Sequence, residues 1–178
     1  MFETDQFISD CRAALAETQP EKAVREVVGR AVSDPSAVLT GLGEPETGGV
    51  YKLHHAPDLT IINVVWSKYM TILPHNHEMW AVIGIYTGRE DNIFWRRLTD
   101  DAAGKIEAAG AKALSEKDAV PLGKDIIHSV TNPIPRLSGA IHVYGGDFFG
   151  VERSEWNPET LAERPYDMAK NLKILAAS

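Results

Sequence analysis

"PHNHEMW", beginning at Pro74, places His75 and His77 two residues apart at the mouth of a nearly uncharged run that ends at Gly88. Side chains alternate across an extended strand, so the two imidazoles share a face. Both can then reach one metal ion, which needs nitrogen at about 2 Å. His128 in "DIIHSV" and His142 in "AIHVYGG" fall in further extended runs, and His142 shares a face with Tyr144. Four of the six histidines therefore lie on expected strands, while His54 and His55 sit side by side in an expected loop. A single strand histidine is ordinarily a surface or hydrogen-bonded core residue. Several of them, each in its own β-context, point to a metal site.

The elements that must position these residues follow from periodicity. Phe7, Ile8, Cys11, Ala14 and Leu15, then Ala23, Val24, Val27, Val28, Ala31 and Val32, recur at helical spacing. Pro20 suits the first turn of the second helix, and Ser33 or Asp34 caps a third before the glycines that end it. From about Gly48 the pattern changes to short runs rich in β-branched and aromatic residues, among them "LTIINVVWSKYMTIL", "MWAVIGIYTG", "NIFWRRLT", "KIEAAGAKAL" and "SGAIHVYGGDFF". Many closely spaced strands without intervening helices favour an all-β sandwich or barrel. The expectation is one domain over 1–178: a helical segment at 1–42, a β-barrel over 45–153 and a helical tail over 157–178, interrupted at Pro165.

A chain of 178 residues with 44% hydrophobic and 24% charged residues can bury a core without disulfides. A net charge of −7 argues against a general nucleic-acid or anionic-membrane binder, because only Arg96 and Arg97 stand together as a basic pair. The single cysteine, Cys11, forbids an intramolecular disulfide, and "MFETDQFISDCRAALAE" lacks the basic start and apolar run of a signal peptide. No stretch approaches the roughly 20 apolar residues that span a bilayer. A cytoplasmic location is expected.

The motifs resemble those of the cupin superfamily. The first cupin motif has a His-x-His pair and an apolar run ending in glycine, here His75, His77 and Gly88. The second has Pro-x-Gly, histidine and then asparagine, here Pro121, Gly123, His128 and Asn132, with two extra residues between glycine and histidine. The usual cupin glutamate is absent, since Ala81 and Val82 stand at its position and Glu78 directly follows His77. Within the superfamily, "HNHEMWAVIGIYTGRE", "IHVYG" at Ile141 to Gly145, and Trp66 resemble the bacterial cysteine and 3-mercaptopropionate dioxygenases over roughly residues 45 to 150.

That resemblance implies a double-stranded β-helix holding ferrous iron on His75, His77 and His128, with a small thiol and dioxygen as substrates. Three neutral ligands leave the full metal charge to favour a substrate thiolate. His142 and Tyr144 match a Ser-x-His-x-Tyr arrangement, but Ala140 stands at the serine, with Ser138 two residues earlier. Leu53 falls where cysteine dioxygenases carry a carboxylate-binding arginine beside the tyrosine matched by Tyr51, so cysteine itself is not the favoured substrate. Ala81 or Val82 stands where some relatives have a cross-linking cysteine, and no cross-link is expected. Arg89, Arg96 and Arg97 are candidates for a carboxylate clamp, with Trp66, Trp80 and Trp95 as pocket walls. Three further readings stay open. Three neutral nitrogens equally suit zinc, nickel or manganese in a non-oxidative isomerase or hydrolase. A carbon–carbon-cleaving dioxygenase needs no arginine, and a ligand-binding cupin needs no catalytic metal.

Overall fold

The structure is a computed structural model that describes residues 2–99 and 101–176. Helices α1 (Thr4–Ala14), α2 (Pro20–Val32) and α3 (Pro35–Leu42) come first. Pro20 and Pro35 stand in the first turns of α2 and α3, where a missing N–H costs nothing. The Asp34 carboxylate caps α3 by accepting from the Ala37 N–H at 3.1 Å. Strands β1 (Gly49–His55), β2 (Thr60–Trp66), β3 (Thr71–Asn76), β4 (Ala81–Thr87), β5 (Arg89–Arg97), β6 (Ile106–Ser115), β7 (Ala119–Leu122), β8 (Ile127–Thr131) and β9 (Ser138–Tyr144) follow. Short strands β10 (Ser154–Trp156) and β11 (Glu163–Pro165) precede α4 (Met168–Ala176). No helix of the described residues is long and apolar enough to cross a membrane.

The strands form two antiparallel sheets, one ordered β1-β2-β9-β4-β7 and the other β11-β10-β3-β8-β5-β6. The all-β expectation is thereby corrected to a mixed architecture, because α1, α2 and α3 form a layer over the first sheet and share a core with it. Among the described residues the strands make two separate sheets and not a closed barrel. The first sheet is covered on both faces, which is why β2, β9 and nearly all of β4 are buried at every position and read as continuous apolar runs. Ile61, Val82, Ile141 and Val143 face the helices. Ile62, Ile83, Ala140 and Tyr144 face the space between the sheets.

Two local expectations differ from the structure. His54 and His55 lie on β1, where His55 Nε2 meets Asp147 at 2.7 Å. The tail from Asn157 is not one interrupted helix: residues 163–165 pair with β10, and Trp156, fully buried, donates to the Gly104 carbonyl.

Candidate metal centre

His75 and His128 are cross-strand partners of β3 and β8, so their side chains meet on one face of the second sheet. A register shift between Ile72 and His75 carries Pro74. A bulge is the one place inside a sheet where a residue without an N–H is tolerated, and bulges re-aim side chains. His77 follows one residue beyond β3. The His77 Nε2 atom lies 3.3 Å from His75 Nε2 and 3.1 Å from His128 Nε2. All three side chains are buried, and their ligand atoms fall within 4.8 Å of one another.

Neighbouring acceptors set the ring orientations. His75 Nδ1 donates to the Leu73 carbonyl at 2.9 Å, and His128 Nδ1 donates to Asn92 Oδ1 at 2.7 Å. Each bond leaves the Nε2 lone pair aimed at the common point, the tautomer a metal requires. Burial pushes His75 down to about 4, and burial with the neighbouring imidazoles holds His77 and His128 well below the ordinary histidine value. Neutral nitrogens at this spacing present lone pairs to one another, an arrangement that a cation between them relieves. The donor set therefore fits a divalent metal ion, and by chemistry alone it suits iron, zinc, nickel or manganese.

The cavity at the histidines is small, about 40 Å³, and is walled by Ile62, Val64, Ile72 and Val130, with Trp66 and Phe148. His142 and Tyr144 reach it from β9 in the other sheet, their Nδ1 and hydroxyl 2.9 Å apart. Tyr144 stands edge-on to His77 with ring centroids 5.2 Å apart, and burial raises its hydroxyl pKa. From β5, Glu90 and Asn92 also point inward. Asn92 Nδ2 donates to Glu90 Oε1 at 2.9 Å while its own carbonyl holds His128.

The other expected site residues lie elsewhere. Arg89 is exposed and pairs with Asp91, Arg96 pairs with Glu107, and Arg97 pairs with Glu163, so no arginine of that run lines the cavity. Trp80 packs with the helix-side core, as do Leu53 and buried Cys11, while Trp95 donates to Ser129 on the second sheet. Ser138 Oγ accepts from the Arg89 N–H at the β4–β5 turn and is occupied there.

Sequence reasoning passed over Arg153. It is 8% exposed, with its guanidinium between the Phe148 ring at 4.0 Å and the Tyr166 ring at 4.4 Å. Nη1 donates to the Phe148 carbonyl, while Nε and Nη2 are buried with no protein hydrogen-bond partner. Arg153 lines an open cleft of about 800 Å³ that shares Tyr166 and Met168 with the histidine cavity. The available signal was a lone arginine three residues after the glycine- and aromatic-rich turn "YGGDFFG".

No family model matches the chain. Its backbone is similar to that of a cupin family protein with a double-stranded β-helix fold from Methanocaldococcus jannaschii, at 13% identity and a TM-score of 0.47, over 60% of this chain and 86% of that one. A protein with a double-stranded β-helix domain from Klebsiella pneumoniae is similar at 11% identity and a TM-score of 0.42, over 70% of this chain and 90% of the other. A variant of the Bacillus subtilis oxalate decarboxylase is similar at 14% identity and a TM-score of 0.45, over 60% of this chain and 28% of the decarboxylase.

Proposed function

We propose that this chain is a metal-dependent dioxygenase of the cupin type. It converts a small thiol bearing a carboxylate to the sulfinate, with ferrous iron held by His75, His77 and His128. The observation that carries the reading is the meeting of three buried imidazole Nε2 atoms with the Tyr144 hydroxyl at one cavity. In the reaction R–SH + O₂ → R–SO₂⁻ + H⁺, both oxygen atoms go to sulfur. The S–H bond breaks, and four electrons pass from sulfur to oxygen. Iron bound there supplies a dipositive charge that favours the thiolate and redox chemistry towards dioxygen.

The chain's own residues supply binding and exclusion. The Nε and Nη2 groups of Arg153 form a fork that matches a carboxylate, and the two aromatic rings hold that fork in place. The apolar walls keep water from the sulfur, and the Tyr144 side chain lines the cavity with its hydroxyl held against His142 Nδ1.

The test is elemental analysis of the protein as purified, followed by oxygen uptake after anaerobic loading with iron, using thiol acids, neutral thiols, aminothiols and a diketone. About one iron per chain, one dioxygen per thiol, a sulfinate product and a preference for acids are expected. Arg153→Gln removes charge-assisted hydrogen bonds of about 1.5–3 kcal/mol. It should raise KM for thiol acids roughly 10- to 100-fold while leaving neutral thiols alone. Zinc, nickel or manganese without uptake would favour a non-oxidative enzyme. Uptake on a diketone alone would favour carbon–carbon cleavage, and no metal after anaerobic loading would leave a binding protein.

A further inference from the structure

Glu90 is 0% exposed, although it stands in the charged run "GRED". It lies on β5 of the second sheet and reaches across the interior to the first. Both carboxylate oxygens accept: Oε2 from Trp66 Nε1 at 2.8 Å and Oε1 from Asn92 Nδ2 at 2.9 Å. A buried carboxylate is costly unless a cation or strong donors meet it. The further group facing it is His142, whose Nε2 lies 3.6 Å from Glu90 Oε2. That separation is slightly long for a hydrogen bond. The same Nε2 is buried and has no other protein partner, while Nδ1 is engaged by the Tyr144 hydroxyl.

One neutral tautomer suits these neighbours better than the other. A bare Nε2 would turn its lone pair towards a carboxylate oxygen, and Nδ1–H would then have to donate to Tyr144. With the proton on Nε2, that N–H points at the carboxylate and the bare Nδ1 accepts from the Tyr144 hydroxyl. We propose that Glu90 is a positioning residue: its carboxylate keeps the proton on His142 Nε2, so that Nδ1 fixes the Tyr144 hydroxyl at the histidine cavity. Through Asn92 the same carboxylate steadies the amide whose carbonyl holds His128. One buried charge thereby orients a candidate metal ligand and the tyrosine opposite it.

The inference rests on the reading of His142 and Tyr144 as site residues, but its test does not depend on turnover. Nitrogen-15 NMR of histidine-labelled full-length protein, zinc-loaded so that it is diamagnetic, reports which ring nitrogen carries hydrogen; His142→Gln assigns the signals. The expected spectrum has His142 protonated at Nε2 and bare at Nδ1. Hydrogen on Nδ1, in either the other tautomer or the imidazolium, overturns the proposal, and this measurement leaves Glu90 unaltered. Glu90→Gln cannot accept at both positions, so the fixed tautomer should give way to a mixture while zinc still binds. An unchanged His142 spectrum in that variant would also overturn it. A wild-type spectrum as expected, in a protein that consumes no oxygen with any thiol, would sink the dioxygenase reading and leave this one standing.

Discussion

β9 has two faces, and only one of them carries chemistry. Under the helices, Ile141 and Val143 join Val82 and Tyr86 against Cys11, Val24, Val28 and Val32. The two titratable groups named there are uncharged near neutral pH, and burial holds them further from ionisation by pushing both the Cys11 thiol and the Tyr86 hydroxyl up to about 12. On the opposite face, Ala140, His142 and Tyr144 look into a space shared with His77, His128, Trp66 and Glu90. The period of two along a strand permits this division within seven residues. The helix-side layer needs only volume in the right shape. The inner layer needs a partner for every polar atom, so a change there disturbs orientation before it disturbs the fold.

The largest expected effect falls on the inner face. His128→Ala should lower bound metal from about one equivalent to less than a tenth and abolish the associated activity. The helix-side core should keep the chain folded, as circular dichroism and a cooperative melt of the metal-free protein would show. Stoichiometric metal in that variant would remove His128 from the ligand set and break the division of labour between the faces.

The inner face was legible where spacing alone encodes direction. His142 and Tyr144 share a face of β9 by period two, and β-branched runs announce the strands, whereas His77 lies one residue beyond β3 and meets His75 without the strand that the spacing implied. Glu90 was hidden because it stands between Arg89 and Asp91 in a charged run, where nothing in the local sequence marks one carboxylate as buried. A shift of one residue along a strand reverses its face, so Arg89 is exposed where Glu90 is buried. Arg153 was hidden for another reason: its burial depends on Phe148 and Tyr166, which no local period connects. β10 and β11 are three residues each, too short to display alternation, and Leu161 and Ala162 running into Glu163 of β11 imitate a helix. The helices α1 to α3 were legible because each carries a complete apolar stripe or a proline start.

A smaller effect separates the two faces by acid. In the metal-free protein burial lowers His75 to about 4, whereas the unfolded chain keeps the ordinary value of about 6.5. Between those values the unfolded state binds more protons. The stability contributed by a neutral His75 is thus full above about pH 6.5 and is lost as pH falls towards 4. For His75 alone this amounts to about 3 kcal/mol, and His77 and His128 act in the same direction. Melting temperature should therefore fall steadily from pH 7 to 4.5, and His75→Phe should flatten the decline. A flat profile in the unaltered metal-free protein would mean that these imidazoles are not buried as neutral groups.

The smallest effect tests the opposite face. Val28 on α2 is fully buried, and it lies so close to β4 that a Cβ at Gly84 would meet its Cγ1 at 2.3 Å. Val28→Ala removes two methyl groups from that contact. At about 0.8 kcal/mol each, with a term for the space left behind, the cost is about 2 kcal/mol. For a chain of this length that corresponds to a fall of roughly 4–8 °C in Tm. Metal content, KM and the His142 tautomer should stay unchanged, because Val28 touches the strand side that faces away from His142 and Tyr144. A matching loss of metal or turnover would mean that packing under the helices tunes the inner face through the strands. The two faces of the sheet would then have to be treated as one mechanical unit.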